Sequence, residues 1–142
     1  MNLLDVNILV HAHRLDSDRN PELRKWLENE TNKEGPWALS EIVLSGFLRI
    51  VTHRRIFKTP TPLEVAIKFI DSLVSRPNCI LVKPGDRHWE IFMNLCKKSQ
   101  ATGNLIPDAY LAALAIESGC VWVTTDSDFA RFPSLKWINP LH

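Results

Sequence analysis

The sequence predicts a three-layer α/β/α sandwich around a parallel sheet of roughly five strands. Short apolar segments alternate with longer amphipathic ones along the chain, as in folds built from strand–helix units. Residues 104–128 show one unit most clearly, with a helix from about Asp108 to Ser118, a turn at Gly119 and a strand over Cys120–Thr125. The strand is apolar on both faces until its end, which indicates that helices cover it on both sides.

Length and composition favour one soluble globular domain covering residues 1–142. The chain is 45% apolar and 23% charged, a composition that excludes a disordered protein. Its formal net charge of +1 gives no overall electrostatic attraction for nucleic acid. No apolar run approaches the ~18 residues that a membrane span needs. Asp5 interrupts the first apolar run, and no basic leader precedes it. We therefore expect a cytoplasmic protein without a membrane anchor or secretory signal.

The sequence pattern of the first half of the chain predicts two strands and two helices. An apolar strand ends near Leu3–Leu4, just before Asp5. A covering helix begins at Pro21, because the missing N–H of proline costs nothing at the first helical position. After the Gly-Pro pair that follows this helix, Trp37–Leu39 forms the second strand, and Ile42–Val51 is a strongly apolar helix.

The second half repeats the alternation before and after the central unit. Prolines precede an amphipathic helix over Leu63–Val74, and Cys79–Val82 is the third strand. Asp86 is the expected N-cap of a helix that ends near Ser99. A short helix over Ser127–Phe132 and a last strand at Trp137–Ile138 complete the set.

Four acidic residues fall at a strand end or a helix start: Asp5, Glu41, Asp108 and Asp126. The central helix carries the chain about 16 Å one way and its strand returns it about as far, so Asp126 comes back to the level of Asp108. Open α/β sheets bind their ligands at this carboxyl edge. Each acid alone also has an ordinary explanation, since Asp5 can be a simple N-cap and Glu41 a partner of a helix dipole.

Carboxylates crowded at one edge repel one another unless a cation neutralises them. An all-oxygen set of ligands favours Mg²⁺, with Mn²⁺ as a substitute, and such ions serve phosphoryl chemistry. Metal-dependent phosphodiester hydrolysis is therefore the leading reaction. Four polar neighbours are candidates to orient the acids or, equally, are turn and cap residues: Asn7, Ser40, Asn104 and Thr125.

One dense run of basic residues lies at the end of the predicted helix Ile42–Val51 and just after it. These residues are Arg49, His53, Arg54, Arg55 and Lys58. Cations at a helix end are favoured by the helix dipole, which gives the run an ordinary structural explanation. The alternative is a rim that contacts phosphates beside the acidic edge.

Four segments, in this order and spacing, resemble the PIN domain family and, more narrowly, the VapC-type toxin ribonucleases. They are Leu-Leu-Asp5-Val-Asn7, Ser40-Glu41, Asn104-Leu-Ile-Pro-Asp108-Ala-Tyr-Leu-Ala-Ala-Leu-Ala and Val-Thr-Thr-Asp126-Ser-Asp128-Phe. The resemblance implies a Mg²⁺-dependent endoribonuclease that acts on structured RNA such as tRNA or rRNA, forms a homodimer and is silenced by a cognate antitoxin.

The resemblance also assigns roles to the acids. Asp5 and Asp108 match the main metal ligands, Glu41 a ligand or a base that positions water, and Asp126 the fourth acid. Asp128 either assists or only caps the following helix.

Two other functions compete with the nuclease. A phosphohydrolase acting on small phosphates, of the haloacid-dehalogenase type, needs Asp-x-Asp after the first strand, and Asp5-Val-Asn7 breaks that pattern. A Mg²⁺-binding receiver-like module needs a lysine at a late strand end, and Lys136 is a poorly placed candidate.

Overall fold

A five-stranded, fully parallel sheet forms the centre of the computed structural model, which describes residues 1–142. The strands lie in the order β3-β2-β1-β4-β5, and every neighbouring pair is parallel. This confirms the predicted α/β fold class. The strands are β1 (Asn2–Leu4), β2 (Trp37–Leu39), β3 (Cys79–Leu81), β4 (Val121–Val123) and β5 (Trp137–Ile138).

Six α-helices and one short 3₁₀ helix connect the strands. None of them is long and apolar enough to cross a lipid bilayer. The helices are α1 (Val6–His13), α2 (Asn20–Asn32), α3 (Glu41–Val51), α4 (Leu63–Val74), α5 (His88–Ser99) and α6 (Leu105–Ser118), and the 3₁₀ helix covers Ser127–Arg131.

The strand order creates a switch point between β1 and β4. From β1 the chain moves outward to β2 and β3 on one side, then returns to place β4 and β5 on the other. Leu4 of β1 pairs with Val123 of β4 in register, so the residues that follow these two strands leave the sheet side by side. Ligands of open α/β sheets bind at such a switch point, outside the carboxyl ends of the strands.

The middle strands supply the best buried part of the core. Leu3, Leu4, Trp37, Trp122 and Val123 are all fully buried, and a buried side chain of this size contributes about 1.5–3 kcal/mol relative to an exposed one. Small side chains on α6 let this helix pack closely against its neighbours, and the buried ones are Ala109, Ala112, Ala113 and Ala115. Packing therefore fixes the ends of β1, β4 and α6 relative to one another.

Helix α6 begins one turn earlier than the sequence predicts. It starts at Leu105 rather than at about Asp108, which makes Pro107 the third helical residue. Proline is tolerated there because the first four N–H groups of a helix have no intrahelical partner. Asp108 is consequently the fourth residue of α6 rather than about its first, and it still lies in the first turn.

The prediction that Asp86 caps α5 is wrong. The helix begins at His88, and the residue before it, Arg87, makes no side-chain capping bond. The backbone N–H groups of Gly85 and Arg87 instead donate to the carboxylate of Glu117, at 2.7 and 2.9 Å. An acid distant in sequence thus replaces the local cap, a substitution that local sequence patterns do not reveal.

Candidate metal centre

Asp5 lies where β1 ends and α1 begins. Its Oδ1 accepts the backbone N–H of Val6 at 2.6 Å, and Oδ2 accepts the hydroxyl of Thr124 at 2.7 Å and the amide of Asn7 at 3.2 Å. Only 4% of the residue is exposed. Asp5 is therefore the N-cap of α1 and, because it follows β1, also lies at the carboxyl edge of the sheet.

Thr124 and Asn7 join the ends of β1 and β4 around this carboxylate. The Asn7 amide donates to Thr124 Oγ1 at 3.1 Å and its carbonyl oxygen accepts the Thr125 N–H at 3.2 Å. Thr124 Oγ1 also accepts the backbone N–H of Asp126 at 3.0 Å. The buried hydroxyl of Thr124 thus contacts two predicted site residues, and Thr124 rather than the predicted Thr125 orients the Asp5 carboxylate.

Three further aspartates meet beside Asp5. One carboxylate oxygen from each of Asp108, Asp126 and Asp128 lies within 4.8 Å of the others. Asp126 is the N-cap of the 3₁₀ helix and accepts the backbone N–H of Asp128 at 2.9 Å. None of the ion pairs in the structure involves these aspartates or Asp5, so the protein itself supplies no cation to neutralise them.

The pKa values of two carboxyls report this crowding. Burial, followed by a smaller contribution from the charge of Asp126, raises the pKa of Asp5 from its usual 3.8 to about 6, against the lowering effect of its hydrogen bonds. Burial also raises the pKa of Asp108 to about 6, reinforced by the charges of Asp126, Asp5 and Asp128. The ionised forms of Asp5 and Asp108 are therefore unfavourable unless a cation lies beside them.

Glu41 lies outside this group. It is the first residue of α3, its side chain is 71% exposed, and its Oε1 lies 3.8 Å from Nζ of Lys83. The neighbouring Ser40 caps α3 by accepting the Val43 N–H at 3.3 Å, and Asn104 makes no side-chain capping bond at the start of α6. The structure thus brings together Asp5, Asp108, Asp126 and, in addition, Asp128.

The donors at this edge fit a hard divalent cation. They are carboxylate oxygens, with hydroxyl and amide groups behind them and no histidine or cysteine in the cluster. Mg²⁺ and Mn²⁺ prefer such oxygen ligands. Lys136, the lysine that a receiver-like module would use, precedes β5 and lies at the amino end of that parallel strand, opposite the acids.

Comparisons with known proteins identify the family. The PIN domain profile matches residues 3–135. Ribonuclease VapC43 of Mycobacterium tuberculosis is 43% identical over 141 residues, which covers 99% of this chain and 96% of that protein. The chain belongs to the PIN domain family. Its likeness to the VapC proteins extends over nearly its full length, as the four sequence segments predict.

Solved structures of more distant proteins share the PIN fold. VapBC2 from Rickettsia felis, bound to a promoter DNA fragment, aligns with a TM-score of 0.70 at 24% identity, covering 97% of each chain. A toxin–antitoxin complex from Klebsiella pneumoniae aligns with a TM-score of 0.64 at 20% identity, covering 99% of this chain and 98% of the other. At these identities the likeness establishes the fold.

The acidic edge of this PIN domain is partly exposed to solvent. Asp108 and Asp126 are half-buried and Asp128 is exposed, whereas Asp5 is buried. The three clustered aspartates are therefore accessible from solvent, while hydrogen bonds hold the buried Asp5 carboxylate in place.

Proposed function

We propose that this PIN domain, residues 1–142, is a Mg²⁺-dependent endoribonuclease toxin of the VapC type that hydrolyses phosphodiester bonds in structured RNA, either tRNA or rRNA. The observation that carries the proposal is the group of uncompensated aspartates at the switch point of the sheet. The similarity to a protein named ribonuclease over 99% of this chain supports the same activity.

Asp5 and Asp108 are the proposed metal ligands, with Mn²⁺ as a substitute for Mg²⁺. A divalent ion bound here neutralises the carboxylates and supplies the Lewis-acid chemistry that phosphodiester hydrolysis needs. Thr124 and Asn7 hold the Asp5 carboxylate in one orientation through bonds of 2.7 and 3.2 Å. Orienting partners of this kind matter because their loss typically weakens metal binding 10–100-fold.

Asp126 and Glu41 are the two remaining proposed catalytic acids. Asp126 is held by its cap on the 3₁₀ helix and by the Thr124 contact to its backbone, so it presents a fixed carboxylate beside Asp108. The Glu41 side chain is held less firmly, because its only ion pair, with Lys83, is long and solvent-exposed, and such pairs contribute little. We assign Glu41 to positioning the attacking water once RNA is bound.

The proposal includes a protein partner and a cellular setting. A cognate antitoxin is the proposed inhibitor, since a structural neighbour of this PIN domain is a toxin–antitoxin complex. We further propose that the active form is a homodimer in the cytoplasm, where its RNA substrate is found.

Cleavage of total cellular RNA by purified, partner-free protein tests the proposal. Reactions contain Mg²⁺ or EDTA, and the variants are Asp108→Asn and the matched control Asp71→Asn, an exposed acid on α4 that takes part in no ion pair. The proposal expects discrete new 5′ ends only with Mg²⁺ and only from wild type and the control. Equal ends from Asp108→Asn, or no ends from wild type while Mg²⁺ still raises its melting temperature, would overturn the nuclease assignment.

A further inference from the structure

The segment that joins α3 to α4 is strongly basic, and we name residues 52–62 the basic loop. Arg54, Arg55 and Lys58 are exposed on this loop, and Arg49 precedes it in the last turn of α3. None of these four side chains takes part in an ion pair. Removing their four charges from the formal net charge of +1 leaves −3 for the rest of the chain, so positive charge is concentrated here.

Arg14, at the end of α1, ties the basic loop to the body of the protein. Its Nη1 donates to the carbonyl of Thr59 at 2.8 Å and to the hydroxyl of Thr61 at 3.1 Å. The guanidinium lies 4.0 Å from the centroid of the Phe57 ring, and Asp16 accepts two further bonds at 2.9 and 2.5 Å. Arg14 is only 8% exposed, so this set of contacts is internal.

The backbone of the loop is ordered as well. The carbonyl of His53 accepts the N–H groups of Ile56 and Phe57 at 3.2 and 3.1 Å, and the Thr61 N–H donates to Val51 at 2.8 Å. The loop therefore loses its conformational entropy when the protein folds, not when a ligand binds. A surface that is already ordered in this way binds more tightly, because binding does not have to order it.

The chemistry of the loop fits phosphate better than protein. Ile56, at 50% exposure, is its single large exposed apolar side chain, whereas the centre of a protein interface is usually apolar and aromatic. Unpaired arginines and lysines are the groups that bind phosphate backbones. Helix α3 runs about 16 Å from Glu41 to the loop, a separation that a folded RNA spans easily.

We propose that the basic loop binds the phosphate backbone of the RNA substrate at a distance from the cleaved bond, and that Arg14 is the positioning residue of this loop. The inference rests on the proposed function for the identity of the RNA. The loop binds RNA by charge and does not take part in the bond-breaking step.

The test measures binding to a labelled stem-loop RNA by fluorescence anisotropy in EDTA, where no cleavage competes. Arg54→Gln/Arg55→Gln is compared with Lys25→Gln/Lys68→Gln, which removes two exposed, unpaired lysines from α2 and α4. Both double variants lower the formal net charge by two, from +1 to −1. Losing two phosphate contacts should reduce the slope of log K against log salt by about 1.4–1.8.

The expected result is weaker binding and this smaller salt dependence for the loop variant alone. Over a fourfold rise in salt, the loss of affinity of the loop variant should be smaller than that of wild type by a factor of about 7–12. Equal slopes for both double variants would overturn the inference. The inference is also overturned if the loop variant binds RNA normally but no longer captures the purified antitoxin.

The two proposals can fail separately. If wild type binds RNA through the loop but never cleaves it with Mg²⁺, the proposed nuclease fails and the loop inference stands. If wild type cleaves RNA and the loop variant keeps the wild-type salt slope, the loop inference fails and the nuclease stands.

Arg14→Gln tests the positioning role, because it removes the tether and none of the loop cations. We expect faster hydrogen exchange at the Thr61 amide and a rise in KM for RNA that exceeds any fall in kcat. A fall in kcat as large as the rise in KM, or exchange that stays slow at Thr61, would contradict this role.

Discussion

Replacing Asp108 by asparagine should stabilise the metal-free protein at neutral pH. Asn keeps the shape of the side chain and removes a carboxylate that burial and the charges of Asp126, Asp5 and Asp128 oppose. A residue that binds a metal ion often lowers the stability of the metal-free protein, because function and stability favour different side chains at the same position. The variant therefore gains stability while it loses the ligand.

The magnitude follows from the pKa of Asp108, which rises from 3.8 to about 6. That rise corresponds to about 3 kcal/mol of unfavourable ionisation if fully expressed. Because the residue is half-buried, solvent screening reduces the figure to about 1–2 kcal/mol. Losing an acid from the first turn of α6 costs some tenths of a kcal/mol. The net gain is about 1 kcal/mol, or a rise in Tm of about 3 °C.

Calorimetric melts of wild type, Asp108→Asn and the control Asp71→Asn measure this gain in EDTA. The sign depends on pH, because an acid whose folded pKa is raised destabilises the fold only when ionised. The gain should therefore be full above about pH 6 and vanish below about pH 4. Saturating Mg²⁺, at about 100 times Kd, should stabilise wild type by about 2.7 kcal/mol and reverse the order. A Tm of Asp108→Asn at or below that of wild type, in EDTA at neutral pH, would show that the Asp108 carboxylate does not destabilise the metal-free fold.

Three further predictions concern the same edge. Mg²⁺ affinity and the rate of RNA cleavage should both rise as pH increases through about 6, because Asp5 and Asp108 lose their protons there. Affinity and rate that stay constant between about pH 5 and pH 7 would contradict this prediction. Thr124→Val, which removes the 2.7 Å bond to Asp5, should weaken Mg²⁺ binding about 10–100-fold in calorimetric titrations, and unchanged affinity would exclude the orienting role. Glu41→Gln should lower kcat and change the free energy of unfolding by less than about 0.5 kcal/mol. Lys83→Gln should leave kcat near the wild-type value. Equal effects of the two substitutions on kcat would show that Glu41 acts only as the partner of Lys83 in a surface ion pair.

The fold was predictable because its signals are local and strong. Trp37–Leu39 and the apolar part of β4 are continuous hydrophobic runs between turn residues, and Gly119, with a φ of +69°, ends α6 as expected. The start of α6 was less predictable, since proline is allowed at several positions of the first turn and Leu105 has no capping side chain before it.

The site was only partly predictable, because its details depend on which strands are neighbours. The register that pairs Leu4 with Val123 places Thr124 beside Asp5, and this pairing is invisible until β1 and β4 are known to be adjacent. Asp128 lies beside Asp108 because the 3₁₀ helix after β4 contacts α6, and the sequence does not reveal this contact either. A Thr-Thr-Asp sequence after an apolar strand was the available signal, and it does not say which threonine faces inward.

A crystal structure with Mn²⁺, located by its anomalous scattering, is the decisive experiment on the acidic edge. We expect an anomalous peak at the edge of the sheet within ligand distance of carboxylate oxygens of Asp5 and Asp108, and no peak there in Asp108→Asn crystals. A wild-type structure in saturating Mn²⁺ with no peak among these aspartates, from protein that still cleaves RNA, would contradict the central claim that this acidic cluster is the metal centre of the nuclease.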